Sequence, residues 1–490
     1  MVENVITGKW DPESFFEERQ SVLNTWPTGK EVDLDEAARY HASLAPAKNM
    51  VRALQEARKH NQVLVQPRAG IAPLEAYLEL MRILQDEGGA DILPTCTDSL
   101  TRHRQYELAA KAIQDSEKRG LSTLNGLPIV NYGVSKCRIL TRELRVPLEV
   151  RIACDDPRLQ AEMALASGMS GCLGGAIVHC LQYGRENTPD GVIKAHQYCH
   201  RLIAEYQDRG ADIVVQTAGS MSTHMVPPSM AVAIICLEML IVAEQGVKNI
   251  LLGYQHSGHV LQDLAAIKVL RNVSARMISD HPGVTLWYDY HSWAGRFPED
   301  EARAYGIIIQ AAVAAAMAGV DMVMSKSVDQ GISLPQAHLN AAAIRATKQV
   351  FGMMQHQRLE ELPSIWAEEA EEIEAEVDLI IKRCLELGQG SSALGSARAI
   401  RSGVIDLPFT GGRATASRVV PVRDASGAIR YLDPGSIPIT EAMMEYHRAK
   451  LRERLVGRGD LTYLDTIADA MAISKGTLVG KQELLAEKRF

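Results

Sequence analysis

Several things are missing from this sequence, and each absence removes a class of function. The eight cysteines, Cys96, Cys137, Cys154, Cys172, Cys180, Cys199, Cys236 and Cys384, form no CxxC and no paired framework. That excludes a disulfide scaffold and fits reduced thiols in a cytoplasmic protein. Basic charge is not in excess: 52 Lys and Arg stand against 60 Asp and Glu, a net charge of −8. A nucleic-acid surface would need clustered excess Lys and Arg, so no nucleic-acid partner is expected. Met1-Val2-Glu3-Asn4 has neither a basic n-region nor an apolar core, so no signal peptide is expected. The longest apolar runs, around 230–243 and 306–320, are broken by Glu238 and Gln310. They read as buried helices and not as membrane spans. HExxH, Walker A and GxSxG motifs are absent, and no Gly-rich dinucleotide fingerprint follows the first strand.

What is present is an ordinary globular composition, 46% hydrophobic and 23% charged, over 490 residues. That length holds one large domain plus a smaller one, or two to three average ones. Residues 1–60 read as an N-terminal arm with helical phases at Pro12–Leu23 and Asp35–Arg58. From 61 to 355 strand and helix patterns alternate. Candidate strands are 62–66, 90–94, 127–131, 147–152, 173–178, 212–216, 248–253, 284–289 and 321–325, with amphipathic runs such as Pro73–Gln85, Pro157–Ala166, Val192–Asp208 and Val260–Met277 between them. Repeated β-then-α with apolar strands means a parallel sheet covered by helices. Nine candidates for eight places predict an α/β fold of the (β/α)8 TIM-barrel type with one superfluous strand, 127–131 fitting worst. An open doubly wound sheet is the alternative, and the missing fingerprint counts against it. Residues 356–490 read as a smaller C-terminal α+β lobe. It opens with a helix carrying Glu368, Glu369, Glu371, Glu372, Glu374 and Glu376, most of them expected on a solvated face. A hairpin follows, Val419–Val422 and Ile429–Leu432 around Asp424-Ala425-Ser426-Gly427, and then helices over 439–456 and 463–474.

The organising stretch is Val63-Leu64-Val65-Gln66-Pro67-Arg68-Ala69-Gly70. Its first residues read as a buried strand, Pro67 ends the ladder, and Gly70 permits a sharp turn and close approach of a ligand. Arg68, at the strand's mouth, is a planar cation suited to a carboxylate or phosphate. From this stretch alone, an anion site and a pairing with a neighbouring acid are both open. Arg102, Arg151 and Lys326 also fall at or just beyond the C-terminal ends of candidate strands, which in a barrel share the active face. Cations converging on one mouth repel unless an anion sits between them, so the shared address favours an anion site.

Three local patterns are decoys. His196-Gln197-Tyr198-Cys199-His200 has zinc-like spacing but no accompanying fourth-ligand cluster, so no metal site is expected. Asp289-Tyr290-His291-Ser292-Trp293-Ala294 nears the Asp-x-His-x-x-Gly motif that carries the lower ligand of cobalamin. Ala294 stands at the glycine, and the tract lies on a barrel strand, so it is not read as a cobalt ligand. Gly388-Gln389-Gly390 follows a helix and reads as its cap.

Long blocks of this chain resemble the epsilon (large) subunit of glutamate mutase, or methylaspartate mutase. They include Phe15-Phe16-Glu17-Glu18-Arg19-Gln20, Trp26-Pro27-Thr28-Gly29-Lys30-Glu31-Val32-Asp33-Leu34, Gln66-Pro67-Arg68-Ala69-Gly70, Val226-Pro227-Pro228-Ser229-Met230, Ala243-Glu244-Gln245-Gly246-Val247-Lys248-Asn249-Ile250 and Ile429-Arg430-Tyr431-Leu432. The resemblance implies a (β/α)8 barrel, dimeric in this chain, with adenosylcobalamin held between the barrel mouth and a separate small sigma subunit that supplies the cobalt-binding histidine. It implies radical rearrangement of L-glutamate to threo-3-methyl-L-aspartate. It places substrate-carboxylate contacts on Arg68, Arg102 and Arg151 and a further substrate contact on Tyr183. Cofactor contacts fall on Gly70, Asn125, Phe297 and Lys326, with Leu334 an aliphatic exchange at another.

The chain also departs from that pattern. Leu173 stands where the family has a glutamate that meets the substrate ammonium, His179 replaces a tyrosine and Ile152 a histidine. Near the cofactor, Gln182 replaces a proline and Gln330 a glutamate; Gln330 can still bond a hydroxyl. Two substrate readings follow: glutamate with another group compensating for Leu173, or a dicarboxylate without a free α-amino group, such as a 2-oxo or 2-hydroxy analogue. A non-catalytic paralogue that binds and regulates a partner is a reading of another class, and so is a cobalamin-independent barrel lyase or isomerase.

Overall fold

Eight short strands are buried on both faces, as apolar runs between a core and a helical coat must be. They are β1 (Leu64–Gln66), β2 (Leu93–Cys96), β3 (Leu148–Arg151), β4 (Gly171–Leu173), β5 (Val214–Ala218), β6 (Asn249–Gln255), β7 (Thr285–His291) and β8 (Met322–Met324). The computed structural model describes residues 4–481 apart from 153, 183–186, 220–224, 333–335, 360–362 and 457–458. All eight strands are parallel, in the order β1-β8-β7-β6-β5-β4-β3-β2, with helices between them. This is the expected (β/α)8 barrel.

Its seam lies between β1 and β2. There Asp91 stands in for a ladder: its N–H donates to the Val65 carbonyl at 3.0 Å, and its Oδ2 accepts the Val65 N–H at 2.9 Å. Lys348 holds the other carboxylate oxygen at 2.7 Å.

The superfluous strand is 127–131. Leu127 makes a single bridge to Thr97, and a helix starts at Ile129. The expected strand 173–178 is also corrected: β4 ends at Leu173, and Ala176–Gln182 is helical. Apolar residues run through both elements, so periodicity alone could not divide them. Gly174-Gly175 makes the break.

The helical phase 35–58 likewise splits into α2 (Leu34–Ser43) and α3 (Met50–Lys59), after α1 (Pro12–Leu23). Pro46 lies in the gap, where it starts a short turn instead of continuing a helix. Asn49 then caps α3 by accepting the Arg52 N–H. Helix α3 closes the bottom of the barrel. Its Met50, Val51, Leu54 and Ala57 pack against the inward residues Leu64, Ile92, Val214, Leu251, Trp287 and Met322.

The two long apolar runs form helices Pro228–Glu244 and Glu301–Ala318, the first buried along most of its length. Among the described residues no helix is long and apolar enough to cross a membrane. After the barrel come the helix Ser364–Leu387 and the hairpin β9 (Val420–Arg423) and β10 (Ile429–Asp433). Two of the six glutamates expected on a solvated face turn inward. Glu369 bonds Arg430 and the barrel residue Gln262, and Glu376 bonds His447 at 2.6 Å. Buried carboxylates persist when paired in this way, so part of the acidic run fastens this region to the barrel.

Leu54 is fully buried in the bottom plug. Leu54→Ala is expected to lower unfolding free energy by about 2–5 kcal/mol, read by urea denaturation, because the rigid strands around it leave a cavity unfilled.

Candidate active site

Alternate residues of each strand point into the barrel, and above the apolar plug they become polar. On β3, Glu149 and Arg151 share the inward face. Arg151 donates from Nε to Glu149 Oε2 at 3.1 Å and from Nη2 to Gln66 Oε1 at 2.6 Å, while Gln66 Nε2 donates to the same carboxylate oxygen at 2.8 Å. Burial raises the Glu149 carboxyl to about 7 against the pull of Arg151. Across the barrel, Asp289 Oδ2 lies 2.6 Å from His291 Nε2 and also accepts from Gln216 Nε2. Gly253, on the strand between them, leaves the space: a Cβ there would stand 2.8 Å from His291 Nε2.

Above this layer opens a cavity of about 420 Å³ at the C-terminal mouth. Arg68, Arg102, Arg151 and Lys326 all line it, from the loops and ends of β8, β1, β2 and β3. Among the described residues, Arg68 and Arg102 have no ion pair, and the buried Arg102 Nε has no hydrogen-bond partner. Lys326 is 2% exposed. Burial, and then Arg68 and Arg151 beside it, hold its ammonium well below the usual lysine range. The site is thus a concentration of donors and positive charge in which, among the described residues, Arg151 is the one ion-paired guanidinium.

Leu173, His179, Gln182, Gly70, Asn125 and Gln330 line the same cavity. Burial, with His196 and Arg102 nearby, holds His179 well below the ordinary imidazole value. Gln182 holds both amide atoms buried and unpartnered among the described residues. Two expected residues sit elsewhere. Ile152 is buried one position past Arg151, its N–H continuing the ladder to the Leu173 carbonyl at 3.1 Å, and the pleat turns it away from the mouth. Phe297 is packed with Trp293 behind the wall, and its N–H donates to the Gln330 carbonyl at 3.1 Å. Tyr183 and Leu334 lie outside the described residues.

Gln255, which no sequence pattern singles out, and His291, whose tract only nears a cobalt-ligand motif, both line the cavity. The signal was there in the strand period, which puts Trp287, Asp289 and His291 on one inward face. His196 of the zinc-like pair lies instead behind the glycine pair, its Nε2 3.2 Å from the Cys154 carbonyl.

A family profile described as methylaspartate mutase E chain matches residues 44–482. The chain belongs to this family. The glutamate mutase epsilon subunit of Desulfitobacterium hafniense is 40% identical over 474 residues, covering 96% of this chain and 98% of its own. That of Treponema denticola is 37% identical over 470 residues, covering 95% and 97%. That of Yersinia enterocolitica is 38% identical over 473 residues, covering 96% and 98%. The methylaspartate mutase E chain family is one of mutase-type isomerases, and the relatives' names, as subunits, imply a partner chain.

Glu238 positions the helix that carries His179 and Gln182. It sits fully buried behind Gly175 and accepts the Ile177 N–H. Burial lifts its carboxyl from 4.5 to about 7. Between those values the folded chain binds a proton that the unfolded chain does not, so this group's contribution to stability is full at low pH and falls as pH rises toward 7. Glu238→Gln is therefore expected to reduce the loss of unfolding free energy between pH 5 and pH 8 by on the order of 1–3 kcal/mol, read by urea denaturation at both values.

Proposed function

We propose that this chain is the large, substrate-holding subunit of an adenosylcobalamin-dependent mutase of the glutamate mutase type, interconverting L-glutamate and threo-3-methyl-L-aspartate in the cytoplasm. The observation that carries the reading is the cluster of Arg68, Arg102, Arg151 and Lys326 on one cavity with, among the described residues, one acid, Glu149, ion-paired to it. Two carboxylates of one small molecule supply the missing negative charge. Guanidinium forks fix the orientation of each carboxylate, as a reaction through a reactive radical requires. The closed barrel bottom and the buried walls keep water from the reacting carbons.

The rim fits the cofactor. Gly70 leaves a cradle that a Cβ would fill, 3.1 Å from Cys96 Cβ and 3.3 Å from Gly126 Cα. Asn125 is exposed at the mouth beside it, and Lys326 and Gln330 offer a cation and an amide across it. These residues would hold the adenosyl side of the cofactor. When bound, adenosylcobalamin supplies hydrogen abstraction by homolysis of its cobalt–carbon bond. A small cobalamin-binding subunit covering this mouth, and a second copy of this chain, complete the assembly we propose. Phe297 would act from behind Gln330 by fixing its backbone, and Ile152 by packing under the wall. Tyr183 and Leu334 keep the substrate and cofactor roles that the family resemblance implies.

Reconstitution with a small sigma-type subunit, adenosylcobalamin and L-glutamate is expected to yield 3-methylaspartate, followed by proton NMR. Product without the cofactor, or a stable complex without product, would count against the mutase. Arg102→Lys is expected to cut kcat/KM roughly 100-fold or more by losing the forked contact. Circular dichroism and assembly with the small subunit should be unchanged; loss of assembly instead would favour the scaffold reading.

A further inference from the structure

The cavity is segregated by charge. Its cations come from the loops and ends of β8, β1, β2 and β3, whereas β6 and β7 line it with Gln255 and His291, and Gln216 and Asp289 lie one inward position deeper on β5 and β7. On those three adjacent strands Gln216 Oε1, Gln255 Oε1 and Asp289 Oδ1 are buried and, among the described residues, accept no hydrogen bond. Leaving one buried acceptor unsatisfied costs about 1–3 kcal/mol, and native proteins keep few of them. Three on neighbouring strands below one cavity mark a place for a donor that the chain itself does not supply. One of the three belongs to a carboxylate, so the fitting donor is cationic. His291 lines the cavity from β7, and its Nε2 lies 2.6 Å from Asp289 Oδ2 and 3.0 Å from Gln216 Nε2; in the tautomer that donates to Asp289, Nδ1 is left as an acceptor with negative charge behind it.

We propose that this wall binds the ammonium group of the substrate: Gln255 and His291 accept its hydrogens, and Asp289, acting through His291, supplies the countercharge. The placement deepens the mutase reading above and rests on it for the substrate. It explains how an amino dicarboxylate is held although Leu173, on β4, offers no acceptor. The carboxylates lie toward the arginines and the ammonium toward β6 and β7, so Gln255 and His291 are specificity-determining residues and Asp289 is a positioning residue.

The test is titration calorimetry on the complex of this chain with its small subunit loaded with methylcobalamin, which lacks the adenosyl group and supports no turnover. L-Glutamate is expected to bind at least tenfold more tightly than glutarate, which has the same two carboxylates and no ammonium. Asp289→Asn and, separately, Gln255→Leu should each shrink that preference to threefold or less while leaving glutarate affinity within twofold. Retained glutarate binding shows that a variant is folded, and Gln255→Leu still decides the matter if Asp289→Asn is not. Glutarate binding as tightly as L-glutamate to the unaltered complex would overturn the proposal, as would equal weakening of both ligands in the variants. Either result would leave the mutase reading to be judged by product formation, whereas failure of both ligands to bind would overturn the two together.

Discussion

Like charges gathered in a low-dielectric pocket repel one another and lose hydration, and a fold can hold them only by building a rigid frame around them. In this chain Arg151 is braced by Glu149 and Gln66, while Arg68, Arg102 and Lys326 stand near it without an acid of their own among the described residues. Much of the surrounding architecture serves that arrangement. The buried polar layer under the cavity fixes the inward side chains, the apolar plug beneath it makes the barrel stiff, and the Asp91 contact closes the seam flanked by the Arg68 and Arg102 loops. Burial, and then Arg68 and Arg151, hold the Lys326 ammonium well below the usual lysine range. Negative charge brought among these cations would offset their mutual repulsion, so the same rigid frame that holds them apart also suits them to an anion.

Much of this was legible in the sequence, for physical reasons that can be named. Parallel barrel strands are buried on both faces, so the largely apolar stretches 62–66 and 212–216 stand out as candidate strands, and cations just past such stretches share one mouth. Where the reading erred, a local signal had been overridden by composition. Leu173 through Val178 is apolar enough to read as strand, yet Gly174-Gly175 divides it and Glu238, far along the chain, caps the helix that follows. Pro46 likewise cuts what looked like one helix.

The site was legible in its charges and less so in its partners. Arg151 announced itself, whereas Glu149, two residues earlier on the same face, was not connected with it. Ile152 and Phe297 were carried over by position along the chain, but the pleat and the loop turn them away from the cavity. Gln255 and His291 were missed for the opposite reason: a neutral amide has no sequence signature, and the histidine resembled a motif with another use. What matters there is the strand period, which aligns Asp289 under His291 and requires Gly253 beside them.

The helix Met50–Lys59 at the base of the barrel gives the protein the topology of a cup and not of a tube. With its floor sealed by a segment that precedes the first strand, traffic into and out of the pocket shares one doorway. Whatever enters by that doorway must also leave by it, so entry and exit compete for the same opening.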